Sequence, residues 1–249
     1  DLSHARVAGL DFSGAVLEGA NLSGALMSNM VFRNAKLVNA EFRKSVIFES
    51  DFTGADIRGG ILVGADAHGA RFTDAKLDNA NMNGVRLQGA VCVGCSCRNV
   101  DFTVAELEGI DFRGADLAAS DLSGLELGGC DFSSANLEGA KFDGAKLNEA
   151  NFSKVTASGA SFRDSKLMRV DFQGAMLEEA CFENARLSVS DFSDSVVTGA
   201  DFSGAILVAT RLKDSVGWME CNLAGADFTG VLRTPSGFRN EAKAMGAVL

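Results

Sequence analysis

The sequence predicts an all-β solenoid, a chain wound into a polygonal coil. Three observations carry that reading: an apolar residue at every fifth place, glycine or asparagine two places later, and phenylalanine returning every twenty residues. The stretch ANLEGAKFDGAKLNEANF at residues 135–152 shows the first of these. Leu137, Phe142, Leu147 and Phe152 stand five apart, each preceded two places earlier by Ala135, Ala140, Ala145 or Ala150. A spacing of five fits neither the 3.6-residue period of a helix nor the two-residue period of a strand.

The five-residue register runs unbroken from Leu2, Val7 and Phe12 to Leu212, which makes 43 positions. One residue is then inserted, and the register resumes at Trp218, Leu223 and Phe228. We call the residue at this position the centre. Two places before it the chain carries small or uncharged residues, and charge gathers in the other three places. Two positions in five therefore face a core. Of the 28 glycines, 23 fall two places after a centre, among them Gly14, Gly54 and Gly114, and Asn29, Asn34, Asn39, Asn79 and Asn99 use the same place. A place that selects Gly or Asn is one needing positive φ, as in the second central residue of a type II turn. A helix would have to absorb a glycine in nearly every turn, at about 1 kcal/mol each, so helix is excluded.

The number of sides follows from the centres. Every twentieth residue from Phe12 gives Phe32, Phe52, Phe72, Cys92, Phe112, Phe132, Phe152, Phe172 and Phe192. From Leu2 the same step gives Leu22, Phe42, Leu62, Met82, Phe102, Leu122, Phe142, Phe162, Phe182 and Phe202. The two series between them contain Leu, Ile, Val, Met, Ala and Cys but no Phe until Phe228. Four sides with Phe ladders on opposite faces explain this pattern, although a ten-residue alternation also suits other even-sided coils.

The run of A-N-L-E-G, A-K-F-D-G and A-D-F-S-G units resembles the pentapeptide-repeat proteins over roughly residues 1–232. The resemblance implies a right-handed quadrilateral parallel β-helix with twenty residues per coil and about 11–12 coils. At a strand spacing of ~4.8 Å such a rod is roughly 55 Å long. Residues 233–249 are expected to form a C-terminal cap or a flexible tail: Pro235 ends the pattern, and Phe238, Ala242, Met245 and Val248 fall on one helical stripe.

Composition narrows the function. No run of eighteen apolar residues occurs in the 249, so no membrane span is expected, and the chain reads as soluble. Asp1 already stands inside the pattern, which suggests that the true N-terminus is missing and leaves the compartment unreadable. A formal net charge of −10 argues against direct binding of nucleic acid and favours a basic partner. The segment CVGCSC, residues 92–97, looks like a metal cluster, but Cys92 and Cys97 are centres and Cys95 is a small inward position. With no histidine in register to complete a tetrahedron, these thiols read as small buried hydrophobes. Cys130 and Cys221 fall at the same small inward position, whereas Cys181 stands one place before a centre and is expected to be exposed. His4 and His68 fall outward on different coils and faces, and no phosphate loop of the G-x-x-x-x-G-K-[S/T] type occurs. No catalytic site, metal or cofactor is expected, and the protein reads as no enzyme.

What remains is surface. Candidate partner-binding residues are the acidic Asp101, Asp111, Asp116, Asp121, Asp131, Asp171 and Asp191, and the outward apolar Leu26, Val46 and Phe48. One aliphatic face turns basic with Lys146, Lys166, Arg169 and Arg186. The expected function is a non-enzymatic scaffold for a protein partner, with open sheet edges that suit end-to-end homo-oligomers. The resemblance implies one alternative. Some relatives imitate B-form DNA, bind type II topoisomerases such as gyrase and protect against quinolones, while others are secreted effectors or thylakoid lumenal proteins. DNA carries about one charge per 1.7 Å. A charge of −10 over the expected rod is only about one per 5 Å. Because exposed charges contribute little to folding, reversal of Asp111 and Asp131 to Lys is expected to leave stability nearly unchanged.

Overall fold

The computed structural model describes residues 1–249 as two compact units, Asp1–Asp121 and Leu122–Leu249. Each is a four-sided coil of parallel β-bridges. In the first unit the bridges join residues twenty apart, as in Arg6↔Leu26↔Val46, Asp11↔Val31↔Asp51 and Asn21↔Glu41↔Ile61. In the second unit Lys146↔Lys166↔Arg186 and Asn151↔Asp171↔Asp191 do the same. One bridge forms per side of each coil, so the four sides are each five residues long. As far as Arg211, every bridged residue stands just before a centre. The centre's own N–H donates to the coil that follows, as from Phe12 to the Val31 carbonyl at 2.7 Å. The bridging residue donates back, as from Val31 to Leu10 at 2.9 Å.

The corners explain the period. Gly14 has φ 67°, and the Ala15 N–H donates to the Phe12 carbonyl at 3.0 Å, the bond and the positive φ of a type II turn. The same conformation is taken by residues the sequence did not mark for it: Lys44 (φ 52°), Val104 (φ 54°) and Val189 (φ 65°). A β-branched residue there is strained by roughly 1–3 kcal/mol. The ladders on both sides of the corner impose the conformation.

Inside, the phenylalanines stack as ladders. In the first unit Phe12, Phe32, Phe52 and Phe72 follow one another at centroid distances of 5.6, 4.9 and 5.0 Å. In the second, Phe132, Phe152, Phe172 and Phe192 stack at 4.8, 5.3 and 4.9 Å. Phe142, Phe162, Phe182 and Phe202 stack opposite them at 5.0, 4.9 and 4.9 Å. The two ladders meet edge to face across the coil, for example Phe142 on Phe152 at 5.6 Å. Each buried ring contributes about 1.5–3 kcal/mol by transfer from water, and each well-placed ring pair about 0.5–1.5 more. Ala67 and Ala157, the alanines at centres, are also fully buried. The first-coil centres Leu2, Val7, Phe12 and Leu17 are half-exposed, whereas Leu22, Met27, Phe32 and Leu37 above them are inaccessible.

Three corners are closed through a serine of the next coil. At Met30, Val100 and Val170 the backbone N–H does not close the turn directly. It donates instead to the hydroxyl of Ser50, Ser120 or Ser190 twenty residues on, each at 3.0 Å. That hydroxyl in turn donates to the carbonyl of Met27, Cys97 or Leu167, which would otherwise have closed the turn. A buried serine thus bridges each of these corners.

The inserted residue is absorbed at Gly217 (φ 92°), ahead of a short 3₁₀ turn, Trp218–Glu220. A Cβ on Gly217 would stand 2.5 Å from the Thr198 backbone nitrogen, so only glycine fits. Bridges beyond it span twenty-one residues, as in Asp201↔Asn222 and Ile206↔Asp227. Trp218 is buried, donates its indole N–H to Ser215 Oγ at 2.8 Å and packs on Phe202 at 4.9 Å. The C-terminal helix α1, Phe238–Ala244, buries Phe238 and Ala242. Phe238 meets Phe228 at 5.2 Å. The helical stripe ends sooner than the sequence pattern suggested. Gly246 (φ 89°) turns the chain, and Val248, 54% exposed, rejoins the ladder opposite Asp227.

Phe132→Asp would bury an unpaired carboxylate in a packed ladder at a cost of several kcal/mol. We expect the melting midpoint of that variant to fall by about ten degrees or more in thermal denaturation. A midpoint within about two degrees of wild type would contradict the inward assignment of this column.

Candidate interaction surfaces

The acidic candidates prove to be corner residues. Asp101, Asp111, Asp116, Asp131, Asp171 and Asp191 each accept, through Oδ1, the backbone N–H two residues on, at 2.8, 3.1, 3.2, 2.8, 2.8 and 2.9 Å. Asn21, Asn81 and Asn151 make the same bond from the same place at 3.0, 3.2 and 3.0 Å. Since asparagine serves as well, the bond rather than the charge accounts for the residue type. Asp101 is exposed, and Asp111, Asp116, Asp121, Asp131, Asp171 and Asp191 are half-buried.

Several of these charges are already answered within the chain. Arg113 pairs with Asp111 at 2.8 Å, Arg98 with Asp116 at 3.2 Å and Arg211 with Asp191 at 2.7 Å. The hydrogen bond from Arg113 is the main reason that the Asp111 carboxyl lies below its ordinary range. At Asp191 burial pulls the other way, and bonds from Ser193 and Arg211 outweigh it. In the first unit, Asp121 follows Asp101 in one ladder, while Asp111 and Asp116 occupy other sides. In the second unit one column reads Asp131, Asn151, Asp171, Asp191, Arg211. The acidic residues thus form short columns with internal partners.

The apolar candidates do come together. Leu26 and Val46 are bridged neighbours, and Phe48 lies two residues along from Val46 on the same side. Leu26 is 42% exposed, and Val46 and Phe48 are half-buried. The Phe48 ring stacks on His68 at 4.9 Å and 13°. His68 Nδ1 meets Asp66 Oδ1 at 2.6 Å, and Arg86 bridges Asp66 at 3.0 Å to Glu106 at 3.2 Å. This side of the first unit therefore passes from apolar to ionic along one ladder. Asp66 and Arg86 were not singled out in the sequence, and His68 was noted there only as an outward residue. Their partners stand two or twenty residues away, and reading every twentieth residue on the outward places would have found most of them.

The CVGCSC thiols lie inside the coil. Cys92, Cys95 and Cys97 are free and buried, with Cys95 Sγ 3.2 Å from Cys97 Sγ. The bond with Cys95 and burial push the Cys92 and Cys97 thiols upward. No group of three or more His, Cys, Asp or Glu is arranged to hold a metal ion. Cys181, expected to be exposed, is half-buried, with Arg163 Nη2 3.5 Å from its sulfur. No helix is long and apolar enough to cross a membrane.

The profile described as a pentapeptide repeat region matches residues 65–142 and 135–212. The profile of eight pentapeptide-repeat copies matches 1–32 and 11–47. The chain belongs to the pentapeptide-repeat family. Its fold is accordingly the right-handed quadrilateral β-helix, and members of this family are generally non-enzymatic structural repeat proteins. Among solved structures, HetL is a pentapeptide-repeat protein involved in heterocyst differentiation regulation from the cyanobacterium Nostoc sp. It is 23% identical at a TM-score of 0.50, covering 90% of this chain and 87% of that one. QnrB1, a plasmid-mediated fluoroquinolone resistance protein, is 18% identical at a TM-score of 0.54, covering 76% of this chain and 84% of that one. At these identities the likeness shows the pentapeptide-repeat fold alone. Comparison with curated protein sequences gave no match.

The corner bonds revise the expectation for charge reversal. Replacing Asp111 and Asp131 by Asn keeps the acceptor, whereas Lys removes it, at about 1 kcal/mol per corner. The double Asn variant is expected to melt slightly below wild type at neutral pH, for loss of the exposed Arg113 pair, and the double Lys variant several degrees lower. Because the folded Asp111 carboxyl is depressed, its contribution is complete above the ordinary carboxylate range and is lost as pH falls through the lowered value. Asp111→Asn should therefore flatten the acid limb of a melting-midpoint titration between about pH 5 and 2. An unchanged limb would remove the assigned role.

Proposed function

We propose that this protein is a non-enzymatic interaction scaffold, and that a protein partner docks on the Leu26–Val46–Phe48 side of the first unit. The observation that carries the reading is that Leu26 and Val46 are neighbours in one ladder, with Phe48 beside Val46 on the same side and stacked on His68. Apolar surface gathered in one place, rather than scattered singly, is the usual mark of a docking site. The backbone beneath is bonded to the coils on either side, so little ordering entropy is lost on binding. The ionic end of the same side, from Asp66 to Glu106, offers carboxylates to a partner with basic residues beside its apolar ones. Residues 233–249 act in this reading as a cap on the last coil.

The DNA-mimic alternative draws less support. Its acidic columns are crossed by Arg98, Arg113 and Arg211, each paired with one of the very carboxylates that would imitate phosphates. The two readings separate in a pair of experiments. A photo-crosslinking residue at position 46 should trap a discrete adduct from source extract, lost when Leu26 and Phe48 are both changed to Ser, and absent when the probe sits at position 53. Adducts indistinguishable between positions 46 and 53 would sink the docking side. Inhibition of gyrase supercoiling by the wild type, abolished on reversing Asp101 and Asp121, would put the mimic in its place.

A further inference from the structure

The side of the second unit built on Leu147, Leu167 and Leu187 departs from the repeat in a different way. Its ladder residues are Lys146, Lys166 and Arg186, bridged in parallel register. Three cations therefore follow one another at the coil spacing of ~4.8 Å with no carboxylate interleaved. Like charges directly opposite in a ladder are destabilising. Elsewhere on this side the chain supplies the answer itself, since Lys146 pairs with Glu126 and Arg169 with Glu149. Lys166 and Arg186 make no ion pair.

The two unpaired cations edge a groove of about 330 Å³ lined by Asn148, Lys166, Met168, Arg186, Ser188 and Ile206. Met168 is 43% and Ile206 38% exposed, so the groove has apolar walls beside its charged edge. Asn148 uses its Oδ1 to accept the Met168 N–H at 3.0 Å, which leaves its amide NH₂ as a donor. The lining thus presents cations, an amide donor and apolar side chains, and no carboxylate. It matches a ligand that is anionic and apolar at once.

Charge on the rest of the chain selects among such ligands. The protein carries 33 carboxylates against 23 Lys and Arg, and Glu126 and Glu149 stand on this same side. A long polyanion following the basic ladder would run into them, whereas a short acidic segment would not. Apolar walls contribute nothing to a phosphate backbone and a good deal to a peptide side chain. We propose that this groove docks an acidic peptide segment of another protein. A carboxylate would lie between Lys166 and Arg186, with a neighbouring apolar side chain against Met168 and Ile206. The surface differs from the Leu26–Phe48 side and lies on the other unit, so the proposal stands whether or not that side binds a partner.

The test is fluorescence anisotropy on the whole chain at about 0.15 M salt. The probes are a labelled octapeptide of alternating Glu and Leu, its counterpart of alternating Lys and Leu, and a labelled oligothymidine. The acidic peptide should bind saturably and the basic one should not. Lys166→Glu with Arg186→Glu should weaken binding about tenfold or more. Lys141→Glu with Lys154→Glu, the same change in net charge elsewhere on the unit, should leave it within about twofold. Met168→Ser with Ile206→Ser should also weaken it, which attraction by charge alone would not require. Should the reversal pair fail to fold, Lys166→Gln with Arg186→Gln replaces it. No saturable binding up to about 1 mM peptide, or equal losses in the groove and control pairs, would overturn the proposal. So would tighter binding of oligothymidine, which would make the groove a nucleic-acid site. Self-association in sedimentation, abolished by the groove pair, would overturn it in favour of a second copy of this chain.

Discussion

Everything in this molecule depends on a backbone that turns a corner every five residues and bonds to the next coil at each side. A centre N–H reaches the carbonyl nineteen residues on, and the bridging residue reaches back twenty-one. Those two bonds fix the rotation of each side, and with it which two residues of five point inward. They also fix positive φ at every corner, so strongly that Val104 and Val189 adopt it. The conformation that looks like a glycine preference is thus a property of the closed coil. Glycine satisfies it without strain, and the other residues take it under constraint from bonds on both sides.

Stacking on this frame turns single substitutions into columns. Identical residues twenty apart lie in contact, so phenylalanines become ladders and aspartates become rows. A row of rings gains with each addition, whereas a row of like charges loses, and the chain deals with the two differently. Asp131, Asp171 and Asp191 are tolerated in one column because Asn151 interrupts it, Arg211 ends it, and each carboxylate is bonded to the corner beneath. The buried serines follow the same economy of means. At Met30, Val100 and Val170 the turn does not close directly, and a hydroxyl from the next coil supplies both of the missing backbone partners.

Reading the sequence worked wherever the information repeats. The five-residue period is written dozens of times over and the opposed Phe ladders many times, and the fold and family follow from them; the single slip before Trp218 stands out against that regularity. What could not be read was whatever depends on a single side-chain choice. The carboxylates of Asp111 and Asp116 looked free because their arginines, Arg113 and Arg98, stand two and eighteen residues away, distances with no meaning until the coil has four known sides. Cys181 looked exposed because its position is outward, yet Arg163 from the preceding coil lies over it. Val248 looked helical because its spacing fits a stripe, but Gly246 intervenes and the open ladder at Asp227 offers it backbone bonds that a further turn of helix would not.

A repeat also indicates where function resides, because its corners and core are already explained by folding. The aspartates at the corners need no partner to account for them. Asparagine replaces them with the same bond, and arginines from the same chain meet several of their charges. Departures from the pattern are different in kind. An outward Leu26 beside Val46 and Phe48 gains the fold little, since those side chains remain partly in water. An uninterrupted Lys146, Lys166 and Arg186 column costs the fold something, because the ladder brings the charges together and only the first is paired. Features that folding does not require, at places where the backbone is rigid and the side chains are accessible, are the ones that binding has reason to maintain.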